Sequence, residues 1–153
     1  MNKLNYKPEE LGVDAARSKT KDASSQLLEM IGVKGKVTEP GPGISRCDND
    51  SDRNDLYLVR HPWSVYDVSN DDLQRGMENL RVALPEKGWK ILKDGVANSK
   101  DQDPEIYAEN KELHYAAHFT WMRNNSSGQP MINVSVVSSC FRAPAGTDLS
   151  REY

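Results

Sequence analysis

The chain has 153 residues, enough for one domain with a single core. It carries 20 basic and 23 acidic residues, 28% charged and 37% hydrophobic, for a net charge of −3. That balance excludes a dedicated nucleic-acid binder, which needs a basic excess, and no Lys/Arg run is present to dock on an anionic membrane.

No stretch approaches the roughly 18 apolar residues that span a bilayer. Met1 to Lys7 is polar and lacks the apolar core of an export signal. The chain is therefore either cytosolic or a mature exported protein whose leader was replaced at Met1. Residues 1–14 read as a polar lead-in, able to serve as a tether between a membrane anchor and a folded domain. The domain itself is expected over 15–144, with a polar, mobile tail over 145–153.

The first helix is expected from about Ala15 to Ile31. Ala16, Thr20, Ala23, Leu27, Met30 and Ile31 recur at helical spacing, and Gly32 supplies the stop. Val33 to Val37 can form a short strand before the turn Glu39-Pro40-Gly41-Pro42-Gly43. Asp48 to Asp55 is a polar loop. A long strand follows over 56–68, with Tyr57, Val59, His61, Trp63 and Val65 on one face. Pro62 lies inside it and has no N–H to donate, so the strand must be an edge or bulged there.

Asn70 is the expected N-cap of a second helix, with Asp71 and Asp72 in its first turn. Leu73, Met77, Leu80 and Leu84 form its apolar stripe, and Pro85 and Gly88 end it. Strands are then expected from Trp89, around Ile106 to Ala108, over Leu113 to Trp121, and from Met131 to Cys140. The last two are joined by a hairpin loop, Asn124 to Pro130. Successive hairpins imply an antiparallel sheet. The expected fold class is α+β: a two-layer sandwich of four to five strands with two helices on one face.

Two cysteines are the minimum for a bond. Neither Cys47 nor Cys140 lies in a C-x-x-C or beside a His at ligand spacing, so a disulfide is expected and, with it, an oxidising compartment. The alternative is two independent buried thiols in the cytosol. Neither cysteine has the electropositive, helix-start setting of a reactive thiol, so the bond would be structural.

Few residues suggest chemistry. His114 and His118 would lie about 13 Å apart on a strand, too far for one metal ion. Asp48, Asp50 and Asp52 alternate like a calcium loop, but Arg53 and Val59 occupy the positions where such a loop needs Gly and Glu. There is no G-x-S-x-G, and Gly41-Pro42-Gly43 is no phosphate cradle. No catalytic residue, metal site or cofactor is assigned. The sheet face left bare by the helices is the expected binding face. Its candidates are His61, His114, His118, Thr120, Trp63 and Trp121, although His61 shares its face with Tyr57 and Trp63.

The polar segment Asn2 to Asp14, the following helix, the turn Leu80-x-x-x-Leu84-Pro85-x-x-Gly88-Trp89 and the paired distant cysteines together resemble small secreted lipoproteins of actinobacteria. That resemblance implies a cell-envelope location and carries over no site residues. Any membrane attachment would be an N-terminal lipid anchor absent from this chain. The expected function is a non-enzymatic exported domain binding a protein partner or envelope ligand through the open sheet face. One alternative is a hydrolase using His114 or His118 with a carboxylate such as Asp67 or Glu112. The other is a secreted inhibitor or immunity-type protein.

Overall fold

A computed structural model describes residues 7–38, 40–47, 55–98, 100–123 and 128–149. The calcium-like triad Asp48, Asp50 and Asp52 and the hairpin residues Asn124 and Asn125 lie outside the described residues.

The elements run α1 (Val13–Ile31), β1 (Lys36–Val37), β2 (Gly43–Arg46), β3 (Leu56–Tyr66), α2 (Asn70–Glu86), β4 (Lys90–Val96), β5 (Pro104–Asn110), β6 (Tyr115–Met122), β7 (Met131–Ser138) and β8 (Phe141–Arg142). The class is α+β, and the described residues form an open antiparallel sheet and two helices. Among them the sheet has eight strands, where four to five were expected. The path is β1-β3-β7-β6-β5-β4, with β2 and β8 also paired to β3.

The extra strands arise because β3 is long and its neighbours are broken. Tyr57 pairs with Arg46 of β2 on one side and Phe141 of β8 on the other. Further along, Val65 pairs with Val37 of β1 and Ile132 of β7. From Arg60↔Val137 to Tyr57↔Phe141, β3 advances three residues while its partner advances four. One extra residue is thus accommodated at 138–140, a β-bulge that separates β7 from β8. Pro62 fits the rule for strand prolines. It pairs with Ser135 of β7 on one side, while on the other it lies between the end of β2 pairing at Arg60 and the start of β1 pairing at Val65. Ser64, of the same parity, directs its N–H to Thr38 Oγ1 on that second side. The N–H that Pro62 lacks would therefore point into the gap.

Both helices lie on the face of Trp63, Val65, Ile106, Phe119, Val134 and Val136. Leu27 and Ile31 of α1 and Leu73, Met77, Leu80 and Leu84 of α2 are buried there. Each leucine so covered stabilises by roughly 1.5–3 kcal/mol. Two polar contacts fix the seat of α1. Thr20 Oγ1 lies 2.9 Å from the Tyr115 hydroxyl, and Trp63 Nε1 donates to Ser24 Oγ at 3.2 Å.

The N-cap of α2 is Ser69, one residue before the expected Asn70. Its hydroxyl accepts the Asp72 N–H. Pro85 does not end the helix but sits in its last turn. The stop is a Schellman arrangement: Trp89 N–H reaches Leu84 O, Gly88 N–H reaches Pro85 O, and Gly88 adopts φ +89°.

The packed body reaches past 15–144 at both ends. Leu11 N–H donates to Arg142 O, Arg142 N–H donates to Glu9 O, and Glu10 bridges to Arg142. Part of the expected tether thus docks on β8. In the expected tail, Leu149 is buried with Val13, Ile44, Tyr57 and Phe141.

Cys47 and Cys140 form the expected disulfide, with Cα atoms 6.2 Å apart. Cys47 follows β2 and donates its N–H to Leu56 O, and Cys140 lies in the bulge on the opposite side of β3. The bond closes over the start of β3 and packs with Leu56 and Leu58. It joins residues 93 apart, so the chain-entropy model gives about 4–5 kcal/mol. The Cys47→Ala/Cys140→Ala protein is expected to lose that stability and melt on the order of 10 °C lower. Calorimetry checks this, and an unchanged midpoint would show that the bond constrains nothing.

Candidate functional site

The face opposite the helices carries two polar rows, set by strand register. One row runs Ser64, Asn133, Thr120, Glu105, and the other runs Pro62, Ser135, His118, Tyr107, Lys93. Alternation along β5 and β6 places these residues back to back with the buried Ile106, Ala108, Ala117 and Phe119.

Glu105 is the anchor of this face. Its carboxylate accepts from Lys93 Nζ at 2.9 Å through one oxygen and from His118 Nε2 at 2.9 Å through the other. Tyr107 stacks on the His118 ring with centroids 3.8 Å apart and planes within 6°. Glu105 is only 5% exposed, although no described helix covers it. Lys93 and His118 take up one carboxylate oxygen each. The hydrogen bond from Lys93 is the main influence holding its carboxyl below the usual range. Desolvation opposes this, and His118 adds to the lowering.

The arrangement also tests the hydrolase alternative at His118. Thr120 Oγ1 lies 3.3 Å from the same Nε2 that binds Glu105. A base held by a carboxylate needs its second ring nitrogen for the nucleophile, so this grouping orients no hydroxyl for attack. The carboxylate that His118 meets is Glu105, not Asp67 or Glu112. Asp67 pairs with Lys36 at 3.7 Å.

The six residues expected to share the open face occupy four places. His118 and Thr120 are on it. His61 and Trp63 lie on the helix side of β3, as the shared parity with Tyr57 foretold. Trp121 stands on the helix side at the start of α2, donating to Asn70 Oδ1 under Arg123. His114 sits in the turn before β6 at φ +67°, its carbonyl accepting the Ser139 N–H. The bare face is therefore polar rather than aromatic, with Tyr107, 40% exposed, as its prominent ring. Among the described residues, no group of three or more His, Cys, Asp or Glu is arranged to hold a metal ion.

His61 builds a second constellation. Its Nε2 is 2.9 Å from the Pro40 carbonyl, which can only accept, so the proton is on Nε2. Nδ1 then presents a lone pair to the Ser24 hydroxyl, 2.7 Å away. Burial, the largest influence, lowers the affinity of the ring for a second proton. The Pro40 carbonyl opposes that effect, and the charge of Lys21 reinforces it. These groups line a groove of about 340 Å³ between α1 and the segment joining β1 to β2.

Sequence reading missed Lys93, Glu105, Tyr107 and Ser24. Alternation could have set Glu105 and Tyr107 on one face. Their meeting with His118 required the β5–β6 register, and Ser24 meets His61 across 37 residues of chain.

The Glu105 pairing has a pH signature. A carboxyl held low when folded adds stability that is whole above its unfolded value of about 4.3 and is lost as pH falls through the folded value. Glu105→Gln is expected to flatten the decline in stability below about pH 4.5. Urea unfolding from pH 3 to 6 measures it, and parallel profiles would remove Glu105 from the linkage.

Neither protein-family models, nor curated proteins, nor solved structures match this chain.

Proposed function

We propose that this is an exported cell-envelope domain that binds a protein partner or envelope ligand through the open face of its sheet. The observation carrying this reading is the ordered polar cluster on a face that no helix covers. Surface carboxylates and lysines ordinarily remain separately solvated. Here Glu105, Lys93, His118 and Tyr107 are held in one geometry before any partner arrives. Preorganised side chains on rigid strands lose little conformational freedom on binding. The accessible groups of the two rows are hydroxyls, the Asn133 amide, the Lys93 ammonium and a stacked ring, which suits a partner presenting polar groups.

The disulfide supports an oxidising, extracytoplasmic setting, because such bonds persist there and are rare in reducing cytosol. No described helix is long and apolar enough to cross a membrane.

Thr120→Arg and Asn133→Arg place bulk and charge at the centre of one row, beside the other. Val82→Arg changes an exposed position on α2, 63% accessible, and serves as control. In pull-downs from the native envelope, wild type and the Val82 variant are expected to retain the same partner, while the open-face variants lose it at least tenfold. Equal retention by all four proteins would reject the open face as the binding surface.

A further inference from the structure

The groove on the helix side of β3 carries chemistry that the open-face reading does not use. Ser24 and Thr20 lie four apart on α1, and both are buried. Thr20 directs Oγ1 to the Ala16 carbonyl one turn back, the usual resort of a helical hydroxyl. The Ser24 proton goes instead to His61 Nδ1, at 2.7 Å. Trp63 Nε1 occupies one lone pair of Ser24 Oγ at 3.2 Å, and the second lone pair remains.

Three requirements for an activated nucleophile therefore meet in one cleft. A hydroxyl donates to a neutral imidazole, the imidazole is oriented through its other nitrogen by a carbonyl, and both groups border a groove able to admit a small molecule. Leu28, Val37 and Trp63 give the groove apolar walls, and Lys21 stands at its rim one helical turn before Ser24.

We infer that the groove is an acyl-transfer site for small carboxylic esters, with Ser24 as nucleophile and His61 as general base. In the first step Ser24 Oγ bonds to the carbonyl carbon and its proton passes to His61 Nδ1. The carbonyl electron pair moves onto oxygen, where the Lys21 ammonium stabilises it, and the Pro40 carbonyl stabilises the doubly protonated ring. Collapse breaks the bond to the alcohol, which departs with the proton from His61. Water then attacks the acyl-serine with His61 again taking the proton. The carboxylic acid leaves and Ser24 is restored. The hydrolytic alternative thus rests on His61, not on His114 or His118, and is spatially separate from Glu105.

A fluorophosphonate tests the first step on the full chain, because Ser24 Oγ attacks phosphorus as it would the carbonyl carbon, forming an Oγ–P bond while its proton passes to His61 and fluoride leaves. Intact mass is expected to show one adduct, mapped to Ser24 and absent from Ser24→Ala. His61→Gln is expected to slow labelling by roughly 100-fold or more. Ser24→Ala and His61→Gln both disturb buried partners, so the wild-type pH profile supplies a readout independent of folding. Its rate should be flat near neutrality and fall through a value below 6.5 as His61, which faces Lys21 and the Pro40 carbonyl, takes its second proton. Lys21→Ala, an exposed change, should slow ester turnover with an unchanged melting point. No adduct on folded wild type, an adduct elsewhere, or a rate indifferent to His61→Gln or to pH would each overturn the assignment. The open-face binding would be untouched by any of these results.

Discussion

The clasp over β3 is the constraint on which the rest of this fold depends. At its start, β3 is flanked by β2, four residues long, and β8, two residues long. Strands this short add few ladder hydrogen bonds and bury little surface, so neither would hold its place by pairing alone. The Cys47–Cys140 bond joins the segments on both sides of β3 and covers Leu56, which is 1% exposed. It thereby fixes the bulge at 138–140, where the sheet passes from the regular β3–β7 ladder to β8. Residues 9–11 and Leu149 then pack against that end of the sheet.

A sheet secured at one end can divide its two faces sharply. The helix side holds the apolar core, and polar contacts seat α1 on it: Thr20 with Tyr115, and Ser24 with Trp63 and His61. The bare side holds hydroxyls, amides and the Glu105 cluster. The two candidate sites follow from this division. One is a flat polar surface made by register. The other is a groove made where α1 crosses the edge of β3 opposite the break between β1 and β2. Pro62 contributes to both, since its missing N–H leaves that edge unpaired beside the groove while its partner Ser135 continues the polar row.

Much of the scaffold was legible because it rests on local rules. The Leu73–Leu84 stripe, the Gly32 stop and the Gly88-Trp89 ending are each written in a short window. Strands were expected over Leu113 to Trp121 and Met131 to Cys140, where β6 and β7 lie, and Pro62 announced an interruption. β2 and β8 were not legible, because GISR and FR have no pattern of their own and become strands only against β3. The cap shifted from Asn70 to Ser69 because adjacent residues offer the same chemistry. The sites were less legible still. Trp63 and Trp121 were expected on a bare aromatic face, yet parity puts both on the helix side. Glu105 gains its shielded place from Lys93 twelve residues before it and His118 thirteen after, a meeting fixed by sheet register alone. Nothing near Ser24 in the sequence points to His61.

The cysteines connect the fold to its setting, since a bond between residues 93 apart governs both the architecture and the compartment in which the chain can keep it. The most direct measurement is a thiol count on protein isolated from its native source with trapping at harvest. Denaturation in iodoacetamide without reductant, followed by intact mass, should add no carbamidomethyl group. Reduction before alkylation should add two. Two groups added without reductant would contradict the clasp, and with it the oxidising location.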